Sequence, residues 1–511
     1  MTKAFDVRLH CATLLLLLAW PHSHAQSLPE LIDEVLSTHP SVRSQRALGE
    51  SAKDAVEGAK WQFYPTPSIG FEQVDTSKSD PNYPSYGDKN VTTLRLQQPL
   101  WTGGRLTAGL ERAQAGVRVS QATLDGTRQD LALRVVQLYA DWYGAGLKRE
   151  AFAQSLKAHR TLQQQINRRI GGGVSPASDL TLLLGRAQQT EADLSAAQAQ
   201  EQTAVGRLTQ LLGHALSAHA LASATSTPQS LEVAVQTLLE RAQAQNPNVV
   251  KLQAQAQAAQ ADIASARADL QPEVYVRAES QYGSYSVPGS PTLSRFFVGV
   301  SSRLGAGLSS LTQVGAAQAR FEAAQADIDS TRLSLGEQIQ ADYAQAQAGQ
   351  GRIAALQASL ESADNITRAW NRQFVAGRKT WPDVMNAVRE QAQLQAQIAD
   401  ARAAQLLLNW RLAIVGQGLD GALASAQAQL AVRAQQPGEL GELGEVGEVG
   451  EIGPLGGAGT ASARAAIPLY AQSPGDAIEL RMASHIDPLN LGVGMGASEP
   501  ASAPKNSEGL W

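Results

Sequence analysis

Val274-Tyr275-Val276-Arg277-Ala278-Glu279 changes side-chain character with a period of two, the rhythm of a β-strand whose two faces meet different surroundings. Phe296-Phe297-Val298-Gly299-Val300 answers it. Ser68-Ile69-Gly70-Phe71-Glu72 and Thr93-Leu94-Arg95-Leu96-Gln97 show the same rhythm earlier in the chain. Each alternation lasts about ten residues, the length of a tilted strand crossing a bilayer. The loops between them, Asp75 to Asn90 and Tyr282 to Leu293, are rich in Tyr, Pro, Ser and Gly. Four strands cannot close a membrane barrel, because the smallest has about eight. Open strand edges are not tolerated in lipid, so such a chain needs copies of itself. The alternative is a pair of soluble hairpins capping a coiled coil.

The hairpins belong to a duplication. Residues 28 to 213 recur at 231 to 416, with His39-Pro40-Ser41-Val42 matching Asn246-Pro247-Asn248-Val249, and Pro65 matching Pro272. Past the hairpin, Leu100 pairs with Leu304, Tyr139 with Tyr343, Gly173 with Gly377, Asp179 with Asp383 and Arg207 with Arg411. Each copy reads as helix, β-hairpin, very long helix, turn and helix.

Helical periodicity dominates the rest. Leu110, Val117, Leu124, Leu131, Leu138, Ala145 and Phe152 fall seven apart, and Val314, Phe321, Ile328 and Leu335 repeat the pattern. A seven-residue repeat keeps an apolar seam facing a neighbouring helix in a left-handed supercoil, as in an ordinary coiled coil. Arg105 to Arg169 runs 65 residues without proline, about 98 Å at the helical rise. Pro40 to Trp61 and Pro176 to Leu212, stacked end to end, match that length. Pro40, Pro176 and Pro247 suit first-turn positions, with His39, Ser175 and Asn246 as caps. The expected shape is a rod roughly 100 Å long, built from two helical hairpins per chain.

The chain opens with Lys3 and Arg8, an apolar run from Ala12 to Trp20 and the small-residue pattern Ser23-His24-Ala25, which reads as an export signal over 1–25, cut before Gln26. An uncleaved anchor is the alternative, although the run is short for a span. Cys11, the only cysteine, lies inside this segment without the flanks of a lipid-attachment site, so disulfides and thiolate metal sites are excluded from 26 onward. Residues 434–511 hold ten acidic side chains against Arg464, Arg481 and Lys505, leaving no basic face that suggests nucleic acid. The segment 421–511 reads as an acidic, Gly-, Ala- and Pro-rich tail without a fold of its own. His39, His159, His214, His219 and His485 show no ligand spacing, and Gly377-Arg378-Lys379-Thr380 lacks the spacing of a phosphate loop. No catalytic, metal or cofactor site is expected.

Over 28 to 420 the chain resembles the TolC-type outer-membrane channels. Phe374-Val375-Ala376-Gly377-Arg378-Lys379-Thr380-Trp381-Pro382-Asp383-Val384 is similar to the family's second-repeat turn, and Gly171-Gly172-Gly173-Val174-Ser175-Pro176-Ala177-Ser178-Asp179-Leu180 is its first-repeat counterpart. The resemblance implies an α+β, mostly α fold with two tandem repeats per chain. It implies a homotrimer in the outer membrane, whose twelve-stranded β-barrel continues as a long periplasmic α-helical barrel. Repeat 1 spans 26–213 with its hairpin at 66–101, and repeat 2 spans 231–420 with its hairpin at 272–304. Leu28 to Ser37, the connector 214–230 with its flank to 235, and the segment after Leu419 would form an equatorial girdle.

The Gly305-Ala306-Gly307-Leu308-Ser309-Ser310 junction and Trp381 to Glu390 look most like the branch that exports large adhesins by type I secretion. The implied partners are outer-membrane lipid, a periplasmic membrane-fusion adaptor and an inner-membrane ABC transporter. A drug-efflux channel served by a proton-driven pump is the runner-up, and an exported coiled-coil scaffold without a pore the second alternative. In the family an aspartate at the position of Asp383 lines the closed periplasmic entrance, and a ring of three would favour cations. Asp179 is its first-repeat counterpart. Asn386 stands where relatives commonly carry a second aspartate, Phe374 replaces a tyrosine, and Lys379 takes a basic latch position. Gly173 and Gly377 are the helix-turn residues. Acids in a helix's first turn are also stabilised by the macrodipole alone, so Asp179 and Asp383 admit a purely structural reading.

Overall fold

The structure is a computed structural model that describes residues 26–73, 87–216, 221, 228, 233–285, 287–302 and 309–435. The signal, most of the connector, the Gly305–Leu308 junction and 436–511 lie outside the described residues. Thirteen elements follow in order: α1 Leu28–Thr38, α2 Pro40–Trp61, β1 Thr66–Gln73, β2 Asn90–Trp101, α3 Arg105–Gly171 and α4 Ala177–Leu212 form the first copy. The second comprises α5 Val235–Gln245, α6 Pro247–Ala268, β3 Glu273–Tyr282, β4 Leu293–Ser301, α7 Ser309–Val375 and α8 Trp381–Gln417, and α9 Leu419–Gln435 closes the described chain.

The duplication holds at the level of element ends. α3 and α7 each contain 67 residues, about 100 Å of helix. α2 and α6 start on equivalent prolines, which pre-set the helical φ where no intrahelical N–H is needed. Their preceding residues cap in the same way: the Ser41 amide donates to His39 Nδ1 at 3.2 Å and the Asn248 amide to Asn246 Oδ1 at 3.0 Å. Ser175 does not cap. α4 begins one residue later than expected, with Pro176 itself at the cap position and no side-chain bond there.

α3 packs against α2 and α6 at one end and against α4 and α8 at the other, while α7 packs on α6 and α8. Facing two partners, α3 carries two seams. The leucine and valine positions 110, 117 and 124 are only half-buried, whereas Ala108, Ala115, Ala122 and Gln129, also seven apart, are buried. Small side chains let the neighbouring axes come close. Further along, the expected seam is buried at Leu131, Leu138 and Ala145 and half-buried again at Phe152.

The main core sits at mid-height, where α1 and α9 wedge against α3, α4 and α8 around Leu31, Ile32, Tyr139, Leu208, Trp410 and Ile414. A second cluster repeats the arrangement with α5 against α6, α7 and α8 through Leu238, Val249, Ile339 and Leu412. The tail boundary at 421 is corrected here. Residues 419–435 are helical, because the run Gly421-Ala422-Leu423-Ala424-Ser425-Ala426 has high helix propensity and puts Ala422, Leu423 and Ala426 on one buried stripe. No described helix is long and apolar enough to cross a membrane.

Candidate functional site

The four strands form one antiparallel sheet in the order β1-β2-β3-β4. Ile69 sits opposite Leu94, Leu96 opposite Ala278, Val276 opposite Val298 and Val274 opposite Val300. Directly paired residues project to the same face, so these side chains build one apolar surface. Ser68, Arg95, Gln97, Arg277, Glu279 and Arg295 build the other. Arg95 Nε donates to Glu279 Oε2 at 3.3 Å, and the Arg277 guanidinium lies 4.6 Å from the centre of the Phe297 ring. On the same face the Tyr275 ring lies across Gly299, where a Cβ would come within 2.5 Å of a ring carbon.

Among the described residues nothing covers the apolar face. Ile69 is 73% exposed, Phe296 71% and Val298 69%, values that water does not favour for a contiguous surface. Among the described residues no strand pairs with the outer edge of β1 or of β4. Pro99, which cannot donate a ladder bond, sits at a register shift in β2. Trp61, Phe63, Tyr64 and Trp101 stand exposed where α2 and β2 meet the sheet end.

At the opposite end, both hairpin turns use the same geometry. Gly173 has φ +70° and Gly377 φ +72°. The Gly173 amide donates to Ile170 O and the Val174 amide to Arg169 O; the Gly377 amide donates to Phe374 O and the Arg378 amide to Gln373 O. This is the Schellman pattern, in which a left-handed residue lets the last carbonyls be satisfied, and glycine adopts it without a Cβ penalty.

The two turns share one apolar cluster made of Leu162, Ile166, Leu183, Phe374, Trp381, Val384, Met385 and Val388. Phe374 is 3% exposed and buried in this cluster. The Arg169 guanidinium stacks 4.7 Å from the Phe374 ring centre, and its Nη1 donates to the Phe374 carbonyl at 3.1 Å. Arg169 thus ties the first hairpin to the second. Sequence reading missed it, since a last-turn arginine looks like an ordinary complement to the helix dipole.

Asp383 is the capping-box partner of Thr380. Its Oδ2 accepts from the Thr380 hydroxyl at 2.7 Å and from the Thr380 amide at 3.4 Å, and Lys379 Nζ stands 3.6 Å away. The Thr380 hydroxyl first, with the Lys379 ammonium behind it, holds the Asp383 carboxyl below the usual carboxylate range. Lys379 also lies 4.2 Å from the centre of the Trp370 ring. Asp179 occupies the equivalent first-turn position of α4, but its cap residue is Pro176, which has no hydroxyl to donate. Asn386 is exposed one turn after Asp383.

A pH effect follows with a definite sign. Because the folded state lowers the Asp383 pKa, its cap contributes stability above the ordinary carboxylate pKa and loses it as pH falls through the lowered value. Thr380→Ala is expected to move the Asp383 carboxyl upward toward its ordinary value and to cost about 1 kcal/mol of helix stability. Carboxyl ¹³C shifts of aspartate-labelled protein across pH 2 to 5 read the first effect, and thermal melts read the second.

Among the described residues no three His, Cys, Asp or Glu side chains converge as metal ligands. The chain matches the sequence profile of the family described as outer membrane efflux protein over residues 31–214 and 238–415, and it belongs to that family. CusC, described as forming a transmembrane channel, is 17% identical, with 76% of this chain and 91% of that one covered and a TM-score of 0.66. The outer membrane protein VceC of Vibrio cholerae is 19% identical over 76% of this chain and 96% of its own, with a TM-score of 0.66. The CmeC outer membrane channel of Campylobacter jejuni is 13% identical over 82% and 94%, with a TM-score of 0.65. At these identities the likeness establishes the fold, a TolC-like one with two repeats. No curated protein sequence matched the chain.

Proposed function

We propose that three copies of this chain assemble into an outer-membrane duct, in which their sheets close a twelve-stranded barrel and their helices form a periplasmic tunnel. The carrying observation is the sheet itself: two unpaired edges, one apolar face and one charged face. Closure would satisfy the edges, and lipid would cover Ile69, Phe296 and Val298. The charged face would line the lumen. The exposed outer side of α7, including Leu333 at 71%, would meet the neighbouring protomer. The duct performs no chemistry, so energy and cargo choice come from an adaptor and an inner-membrane transporter.

Protein export by type I secretion, with a large adhesin as cargo, is the reading we adopt. It rests on the resemblance of Trp381 to Glu390 to that branch. The second reading is drug efflux through a proton-driven pump, and the family's description supports its efflux part. Deleting the gene separates them: loss of a surface adhesin with unchanged drug susceptibility supports secretion, and the reverse supports efflux. A coiled-coil scaffold would give no conductance steps in planar bilayers under any condition.

At the tip, Asp383 rings the entrance in this reading, and Arg169 holds the two hairpins closed. Removing an aromatic-stacked cation that also bonds a carbonyl is worth about 2 kcal/mol, or roughly thirtyfold in an equilibrium. Arg169→Ala is expected to raise the open fraction by that order in single-channel records. An unchanged open fraction would remove Arg169 from the closure.

A further inference from the structure

Between the tip cluster and the mid-height core, α3, α4 and α8 line a partly open cavity of about 280 Å³ that the duct reading leaves unused. Its wall brings together His159 from α3, Arg186 and Asp193 from α4, and Asn386 and Arg389 from α8. His159 is 3% exposed, and its Nδ1 lies 2.7 Å from the Ser155 carbonyl oxygen of its own helix. A carbonyl only accepts, so Nδ1 carries the proton and Nε2 presents a lone pair as the nitrogen left for a cavity occupant. Among the described residues neither Arg186 nor Arg389 has an ion-pair partner. The one carboxylate in the wall, Asp193, already accepts from Gln189 Nε2 at 3.2 Å.

Two guanidiniums against one carboxylate leave an excess of positive charge in this partly open cleft, and guanidinium forks match the oxygens of planar or tetrahedral oxyanions. A buried neutral imidazole adds the opposite demand, for a donor. We propose that this cavity binds a small oxyanion that retains a hydroxyl at neutral pH, inorganic phosphate, with Arg186 and Arg389 holding its oxygens and His159 Nε2 accepting its hydroxyl proton. Burial pushes the His159 imidazole down, which keeps it an acceptor at neutral pH, with Arg186, Arg389 and Asp193 as the charged groups that share its cavity. Arg186 belongs to the first repeat and Arg389 to the second, so the bound anion bridges the two hairpins directly behind the tip cluster. Met385 belongs to both the cavity wall and that cluster.

Calorimetric titration of the purified full-length protein in detergent at pH 7.5 tests the site with inorganic phosphate and with sulfate, which carries no proton at that pH. Saturable binding of one phosphate per protomer is expected, at least tenfold tighter than sulfate, with a rise in Tm. Arg389→Ala and Arg186→Ala, both at exposed positions, should each weaken phosphate at least tenfold. His159→Asn should bring phosphate down to the sulfate affinity. Where that variant fails to fold, the phosphate-to-sulfate ratio of the unaltered protein carries the same test. Absence of saturable phosphate binding, equal affinity for the two anions, or indifference to both arginine substitutions would overturn the proposal. None of these readouts uses conductance, so their failure leaves the duct reading standing, and failure of the duct leaves them interpretable.

Discussion

Val298→Arg is expected to abolish barrel formation while leaving the helices folded. Val298 lies on the apolar face opposite Val276, is 69% exposed in the single chain, and sits in the middle of β4. An arginine facing lipid near the bilayer midplane costs about 2–4 kcal/mol, and a three-chain assembly carries that cost three times. Membrane fractionation should find the variant outside the outer-membrane fraction, with conductance lost. Gln281→Arg, on the opposite face of the adjacent strand and paired with Leu293, should insert normally because the proposed duct turns that face toward water. If the two arginines behaved alike, the assignment of faces would be wrong.

Trp410→Ala is expected to have the largest effect on stability. Trp410 is fully buried in the mid-height core, where α8 meets α3 and α9. Replacing a buried tryptophan by alanine costs about 3–5 kcal/mol through lost transfer energy and a residual cavity. That is a large share of the net stability of a typical domain. Thermal melts and proteolysis of the purified variant read this loss, and a melting temperature within a degree of the parent would contradict the described core. Tyr139, also fully buried, packs its ring 5.2 Å from that of Trp142 in the same cluster, so substitutions at Tyr139 and Trp142 should not be additive.

Much of this architecture could be read before the fold was seen, and the reasons differ by element. Strand alternation has a period of two and survives in any environment with two unlike faces, so the hairpins at 66–101 and 272–304 stand within a few residues of Thr66–Trp101 and Glu273–Ser301. Prolines at 40 and 247 marked helix starts because the ring fixes φ. Pro176 misled, since a proline serves equally as the residue before the first turn. The seam on α3 was half legible: large apolar residues announce themselves, but the alanines at 108, 115 and 122 are buried only because two helices approach from different sides. The chain around 421 looked like the start of the acidic tail, yet an Ala-rich stripe that docks on an existing core needs few large side chains.

The tip was the least readable part. Glycines 173 and 377 could be placed from spacing, because a left-handed turn leaves little choice of residue. Burial of Phe374 and the reach of Arg169 across to the other hairpin depend on how two distant helices meet, which no local pattern encodes. Asp383 illustrates the same limit from the other side. Its chemistry as a helix cap is local and visible in Thr380-Trp381-Pro382-Asp383, whereas a place at an entrance depends on neighbouring copies.

The duct requires closure of the sheet between copies, and the chain suits a direct test because Cys11 is its only cysteine. In a Cys11→Ser background, single cysteines at Ile69 on β1 and at a series of β4 positions around Val298 can be paired by oxidation in outer membranes. Within one chain β1 and β4 are separated by β2 and β3, about 14 Å at the usual strand spacing, beyond the reach of a disulfide. The duct predicts a cross-linked ladder on denaturing gels that ends at three copies, for at least one β4 position. A chain that stays monomeric at every position would contradict it.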